Sequence, residues 1–435
     1  MISLLKVTKT STVVCMRHRF KSHSRQFHHL PKLTAKSQLV TGYFITIVFF
    51  YLADGLIAYA MPIVIEQNSI NMMVVGIILS LSSAAGFLTD IIFPELFPTR
   101  GVRFYTRLAL GFALVTALTL FGLPHILWVL ALGSVLWGAY YEAISFSHFT
   151  FVHQLIPAKK HDSAWGWLET IRSIGYVIAP ILGAFLLLQN NKHPFGVALF
   201  FFLLASGIFL GSRKAAKQMK PDLVATEHQT FSQELGIWRK ILRKIWHIYF
   251  FYFALIMVDM AFWSVGILLS VEMLETSKLS SLVLPAYMVP FLIVPLFASK
   301  LNLRWKKSQV AFVTAAAGAL LLAIGSIFST GVLLILAIFV ASVFLALATP
   351  EILAVFQDYT ETLGVYGNDM VGLQRSASSF AWIIGPLVAG ALSTLMGNQL
   401  TMSFFAFVLF VSAIIAHFGP KKIGLSQKGL QKSGV

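Results

Sequence analysis

Four carboxylates stand in the middle of long apolar runs of this 435-residue sequence: Asp54 in YLADGLI, Glu142 in YYEAIS, Asp259 in IMVDMAF and Glu351 in TPEILA. A charged side chain at the centre of a membrane span costs roughly 2.5–3.5 kcal/mol on insertion scales, so each retained acid indicates a function. Removal from water favours the protonated form of a carboxyl group. We therefore predict four unpaired acids that bind and release protons and contact a solute.

Aromatic side chains share the helical faces of two of these acids. Phe50 and Tyr51 lie on the face of Asp54, and Phe262 and Trp263 lie on the face of Asp259. A carboxylate beside aromatic faces suits an organic cation. The alternative is that these rings are ordinary packing residues in a Phe-rich chain.

One arginine lies inside an apolar run. Arg172 follows Glu169 by three residues, so an ion pair on one helix face is expected. Pairing of Arg172 with Glu142, or binding of an anionic substrate, is the alternative. His148 and His153 lie near the end of the run that contains Glu142 and could join a proton relay; a structural role is the alternative for both.

The composition requires lipid as the solvent for most of the chain. Hydrophobic residues make up 57% of the sequence and charged residues 11%, whereas soluble proteins carry roughly 25% charge. The net charge of +16 comes from basic residues between the apolar blocks, which form no nucleic-acid-binding face. Apolar blocks of about twenty residues predict twelve spans, near 40–65, 71–93, 103–123, 125–152, 164–189, 194–212, 245–271, 281–299, 308–328, 331–357, 371–396 and 399–418.

Positions of Lys and Arg predict the topology. With both termini in the cytoplasm, all but four of the 33 basic residues lie on the cytoplasmic side of the membrane. The predicted units are a basic tail (1–39), a six-helix bundle (40–212), a linker (213–244), a second six-helix bundle (245–418) and a second tail (419–435). A plasma or inner membrane is expected. A mitochondrial transit peptide is the alternative reading of the first, acid-free tail.

An internal repeat relates the two bundles. Residues 166–180 read GWLETIRSIGYVIAP and residues 372–386 read GLQRSASSFAWIIGP, with the same spacing from Gly to Pro. The offset of 206 carries Asp54 to position 260, one residue from Asp259. Two sequence-related bundles are common among secondary transporters.

These features resemble the major facilitator superfamily over about residues 40–418. Gly175, Ala179, Pro180 and Gly183 are similar to its fifth-helix motif, which is associated with antiporters, and the repeat adds Gly385, Pro386 and Gly390. Gly86 and Asp90 resemble the start of its loop signature, in which an Asp and following basic residues latch the halves. Here Arg100 and Arg103 come late, and WGAYYE replaces the family's fourth-helix Arg motif.

The resemblance implies two rocking bundles, with helices one, four, seven and ten lining a central cavity and the Gly and Pro residues of helices five and eleven allowing close packing. We expect a monomeric, proton-coupled antiporter for efflux of a small organic solute, with the lipid bilayer as its surroundings. An uptake symporter for a sugar, nucleoside or carboxylate is the first alternative, and a polytopic membrane enzyme is the second. No nucleotide, zinc or redox motif is present in the sequence, so no cofactor other than the coupling ion is expected.

Overall fold

The computed structural model describes residues 35–97, 100–157, 161–211, 231–273, 279–298, 306–363 and 366–419. Every regular element in these ranges is helical. The helices are α1 (Ala35–Asn68), α2 (Met72–Leu96), α3 (Val102–Gly122), α4 (Leu127–Leu155), α5 (His161–Gln189), α6 (His193–Gly211), α7 (Phe231–Ala261), α8 (Ile267–Glu272), α9 (Val283–Ala298), α10 (Lys307–Phe328), α11 (Gly331–Leu363), α12 (Gly367–Met396) and α13 (Asn398–Phe418).

Twelve membrane spans account for these helices. Eleven are long and apolar enough to cross a bilayer, and the twelfth, α9, is apolar but has only 16 residues. The seventh span consists of α7, a π-helical segment (Phe262–Gly266) and α8. Spans eight to twelve are therefore α9 to α13. The prediction of an all-α membrane protein with twelve transmembrane helices is confirmed.

The helix that contains the seventh span starts earlier than the predicted span. Helix α7 begins at Phe231, inside the predicted linker 213–244. Residues 213–230 of that linker lie outside the described residues, as do residues 1–34 and 420–435 of the predicted tails. Ile237, Ile241 and Ile245 recur every four residues and are buried, so the basic first turns of α7 form an amphipathic helix that packs with its apolar face.

The two halves repeat one packing scheme. In the first half α1 packs on α5 and α6, α2 on α4, and α3 on α4 and α6. In the second half the seventh span packs on α12 and α13, α9 on α11, and α10 on α11 and α13. At the boundary between the two halves, α2 contacts α12 and α5 contacts α9, and the internal repeat relates these two contacts to each other. The pseudo-symmetric arrangement predicted from the repeat is confirmed.

Small residues bring the halves together at one end of the bundle. We call the end where α1 begins the terminal end and the opposite one the distal end. In the distal half of the boundary, a Cβ on Gly76 would clash with the carbonyl oxygen of Pro386, and a Cβ on Gly390 with that of Met72. Backbones that approach this closely require glycine. The distal end of the boundary is thus tightly packed.

The remaining motif glycines lie within the halves. A Cβ on Gly175 would meet the backbone of Tyr51, and one on Gly183 would meet the ring of Tyr59, so both let α5 approach α1. A Cβ on Gly385 would meet Met260 of α7, and Gly86 faces Glu142 of α4. Pro180, like Pro386, lies inside its helix, where packing of neighbouring helices makes proline tolerable.

Candidate functional site

Asp54 is fully buried and is an acceptor on both of its carboxylate oxygens. Trp137 Nε1 and Tyr140 Oη of α4 donate to Oδ1 at 2.9 and 2.7 Å. Tyr176 Oη of α5 donates to Oδ2 at 2.6 Å. Three donors compensate the loss of water around this carboxylate. The expectation of an unpaired acid is wrong for Asp54, because helices distant in sequence provide its donors.

Asp259 has a different environment, although it occupies nearly the equivalent position in the repeat. Its side chain is partly exposed and accepts a hydrogen bond from Tyr287 Oη of α9 at 2.9 Å. It lies three residues before the π-helical segment. Such segments occur mostly as single turns inside α-helices, frequently at functional sites.

An aromatic contact joins the surroundings of these two acids across the boundary. The ring centroids of Tyr176, which donates to Asp54, and Trp263, from the π-helical segment, lie 4.9 Å apart. Trp263 is partly exposed. One side chain of each half thus contributes to a shared wall between the two acids.

Arg172 adds a positive charge to this region. Its guanidinium pairs with Glu169 at 2.7 Å, as the three-residue spacing predicted, and also donates to Tyr141 Oη at 3.4 Å. It lies near enough to both Asp54 and Asp259 for their charges to interact. The side chains of Arg172 and Glu169 are 37% and 54% exposed, so other side chains cover the pair only in part.

Glu142 pairs with another carboxyl group rather than with Arg172. It lies beside Asp90 of α2, close enough for the two carboxyl groups to share a proton. Arg375 of α12, in the other half, lies within electrostatic reach of both acids. Arg375 is therefore the basic residue of the other half that interacts electrostatically with Asp90, whereas Arg100 is exposed and lies over the ring of Phe104.

Glu351 is separate from the other three acids. It is partly exposed in the terminal half of α11 and lies within electrostatic reach of Lys307, which pairs with Asp358 at 2.7 Å. This exposed charge cluster belongs to the terminal end of the second half. The structure thus places Asp54 and Asp259 within electrostatic reach of Arg172, and it leaves both Glu142, which lies beside Asp90, and Glu351 outside that group.

Only part of the predicted aromatic lining lies at the boundary. Phe50 is fully buried within the first half against Tyr140 and Phe202, and Phe262 is fully buried on Tyr287, their centroids 3.9 Å apart. These two phenylalanines are packing residues, because their helical faces turn toward their own bundles. Tyr51 is also buried and hydrogen-bonds to His148.

Sequence reasoning missed the side chains that complete the site, namely Trp137, Tyr140, Tyr141, Tyr176 and Tyr287. Their signal is a polar tip on an aromatic ring at mid-span, because a buried Tyr or Trp usually requires a hydrogen-bond partner. The WGAYYE segment carries three of them.

Two six-helix halves with equivalent packing, which meet at a boundary that carries acidic and aromatic side chains, are typical of secondary transporters. The chain belongs to the Major Facilitator Superfamily, whose sequence profile matches residues 43–368. The resemblance inferred from the motifs is confirmed, and membership indicates secondary transport of a solute.

Solved transporters of low sequence identity share the fold. The nucleoside transporter NupG (D323A mutant) has a TM-score of 0.67 and 14% identity, with 89% of this chain and 100% of that chain covered. The human organic anion transporter MFSD10 (TETRAN) has a TM-score of 0.61 and 16% identity, with coverage of 88% and 99%. A bacterial homologue of the human lysosomal transporter Spinster gives 0.66 and 13%, with coverage of 88% and 96%. Comparison with curated protein sequences found no match.

Proposed function

We propose that this chain is a proton-coupled antiporter that exports an organic solute, with Asp259 as the group for which the proton and the solute compete. The observation that carries the proposal is the placement of Asp259. It is a partly exposed mid-span carboxyl group beside Trp263, which contacts Tyr176 of the opposite half. Asp54, held by three donors, fixes that opposite wall.

Competition at one carboxylate is enough for exchange. When ionised, Asp259 attracts a cationic group, and the faces of Trp263 and Tyr176 add cation–π attraction. When protonated, it loses that attraction and releases the solute. A solute with a positively charged group therefore fits this wall, and the chemistry requires no bond making or breaking in the solute and no bound cofactor.

Alternating access would expose the site to each end of the molecule in turn. The halves are packed tightly at the distal end, through Gly76 with Pro386 and Gly390 with Met72, while Arg172 and Glu169 remain exposed. The excess of Lys and Arg supports a cytoplasmic terminal end in a plasma or inner membrane. We expect one chain to be sufficient, because both walls of the site come from one chain.

Arg172 supports a second candidate. An exposed guanidinium at mid-span also suits a carboxylate, and a transporter that binds an anion at Arg172 while Asp259 takes up a proton would be a symporter. The direction of proton movement relative to the solute separates the two candidates.

The test measures proton movement caused by probe solutes. The purified protein is reconstituted in liposomes with an internal pH-sensitive dye, and three probes are added: the cation 1-methyl-4-phenylpyridinium, the anion p-aminohippurate and neutral uridine. We expect the cation to move protons in the opposite direction in the wild type. Asp259→Asn should abolish this movement, and Glu361→Gln, which alters an exposed carboxylate, should retain it.

Two results would overturn the antiport proposal. Proton movement that is unchanged in Asp259→Asn would remove Asp259 from the coupling step. Proton movement in the same direction as p-aminohippurate, lost in Arg172→Gln, would establish the symport alternative.

A further inference from the structure

The first turns of α7 carry a row of exposed side chains that begins with two arginines. Arg239 and Arg243 lie about one helical turn apart, and both are exposed. Trp246 is 50% exposed and Phe250 39% exposed, and both continue the same helical face toward the membrane span. We call these four residues the α7 stripe. Along one face of one helix, the stripe passes from positive charge through an amphipathic ring to an apolar ring.

Neighbouring helices pack on both flanks of the α7 stripe and leave it exposed. On one flank, Trp238 of α7 lies against Gly372 of α12, where an added Cβ would meet its ring. On the other flank, His247 of α7 lies against Gly419, which directly follows α13. The stripe therefore faces outward between the start of α12 and the end of α13, at the terminal end of the molecule.

The two arginines of the stripe are unpaired. Neither Arg239 nor Arg243 has a carboxylate partner within the described ranges. The sequence contains no Asp or Glu between Glu234 and Asp259, so none of the four residues before or after either arginine is acidic. Arginine side chains bind phosphate groups through parallel hydrogen bonds. Two unpaired guanidinium groups on one outward face therefore suit a ligand that carries a phosphate.

We propose that the α7 stripe binds an anionic phospholipid of the leaflet at the terminal end, with its headgroup on Arg239 and Arg243. The two arginines are about 6 Å apart along the helix axis, so both can contact one headgroup. Trp246 follows at the level that indole rings prefer, between headgroups and hydrocarbon, and Phe250 lies deeper, beside the acyl chain. A soluble phosphate compound would use only the arginines, whereas a lipid uses all four side chains. The site is separate from Asp259 and does not depend on the proposed function.

The net charge of the headgroup decides how strongly it binds. A basic residue beside an anionic membrane surface adds an attraction that corresponds to a roughly fivefold preference. A zwitterionic headgroup carries a phosphate but no net charge, so it gains less from the two arginines. We therefore expect phosphatidylglycerol to be enriched at the stripe over phosphatidylcholine, and high salt to weaken this enrichment by screening.

The test uses Trp246 as a probe of its own surroundings. The full-length protein is placed in vesicles of equal parts phosphatidylcholine and phosphatidylglycerol, with bromine atoms, which quench indole fluorescence, on one lipid or the other. The emission of Trp246 is the difference between each protein and its Trp246→Phe derivative. We expect stronger quenching by brominated phosphatidylglycerol, and Arg239→Gln combined with Arg243→Gln should lower this preference at least roughly fivefold. Arg107→Gln combined with Lys306→Gln removes two exposed charges at the same end and should keep the preference.

Each other outcome overturns the proposal. Equal quenching by the two lipids in the wild type would show that the stripe does not select anionic lipid, and no quenching by either would show that another part of the protein covers it. A preference that persists in the double arginine variant, or that is lost equally in the control, would remove the two arginines from the site. A preference that high salt leaves unchanged in the wild type would exclude charge as its cause. The salt measurement needs no substitution, so it tests the proposal even where a variant fails to fold.

Discussion

At the scale of single residues, two acids that the internal repeat aligns have acquired different surroundings. Asp54 is an acceptor for Trp137, Tyr140 and Tyr176 and is completely buried. Asp259 is partly exposed beside a π-helical segment and accepts a hydrogen bond from Tyr287. A carboxylate with many donors suits a fixed structural charge, whereas one with few donors can exchange them for a proton or a solute.

This difference predicts unequal costs for the same substitution. Asp54→Asn places an amide nitrogen against at least one donor and should lower the free energy of unfolding by about 1–3 kcal/mol. Asp259→Asn should cost less, because fewer donors are affected and the side chain is partly exposed. Thermal unfolding of both variants in the same detergent measures this. Equal losses, or a larger loss for Asp259→Asn, would contradict the assigned roles.

The positions of the acids could be predicted from the sequence, but their partners could not. Charge within an apolar run is visible locally, so Asp54, Asp259 and Arg172 stand out, and the pair of Arg172 with Glu169 follows from helical spacing. The donors of Asp54 come from residues 83 to 122 positions away. Which face of α4 or α5 turns to α1 depends on tertiary packing, which a local pattern does not contain.

At the scale of helices, the repeated Gly and Pro motif serves two kinds of contact. In α5, Gly175 and Gly183 let the helix approach α1 of the same half. In α12, Pro386 and Gly390 approach α2 of the opposite half. The motif predicted close packing in both helices. Only the copy in α12 lies at the boundary between the halves. The reason is that this copy faces α2 of the other half, whereas the copy in α5 faces α1 of its own half.

The contact at Gly76 predicts how the distal end opens. Gly76→Ala adds a Cβ against the Pro386 carbonyl, so distal closure should become less stable. Leu79→Cys, placed between the halves in a Cys15→Ser background, should then react faster with a maleimide. Gly111→Ala is the matched control, because nothing lies within 4 Å of a Cβ at that position. Equal labelling rates in the two variants would show that this contact does not hold the end closed.

The π-helical segment illustrates what helical periodicity leaves out. The sequence FWSVG is apolar enough to continue an α-helix, and it was predicted as part of one span. One extra residue per turn changes which side chains face the boundary, so Phe262 is buried on Tyr287 and Trp263 reaches Tyr176. Assigning both rings to one lining surface was therefore wrong for Phe262.

At the scale of the whole molecule, two equivalent halves meet along α2 with α12 and α5 with α9. The twelve spans and their division were predictable, because hydrocarbon thickness fixes span length and the repeat fixes the division. At the distal end, α1 of the first half also packs on α8 of the second half, where Tyr59 lies close to Ser270. Movement of a solute through the boundary requires this contact to break and form in each cycle.

The most direct test of this account is to fix that contact and measure transport. Tyr59→Cys with Ser270→Cys, in the Cys15→Ser background, is joined by a short bifunctional thiol reagent, and probe-driven proton movement in liposomes is recorded before and after. The account predicts that cross-linking abolishes the movement and that each single-cysteine variant, treated with the same reagent, remains active. Proton-coupled transport that continues at the original rate in the cross-linked protein would contradict an alternately opened site between the two halves.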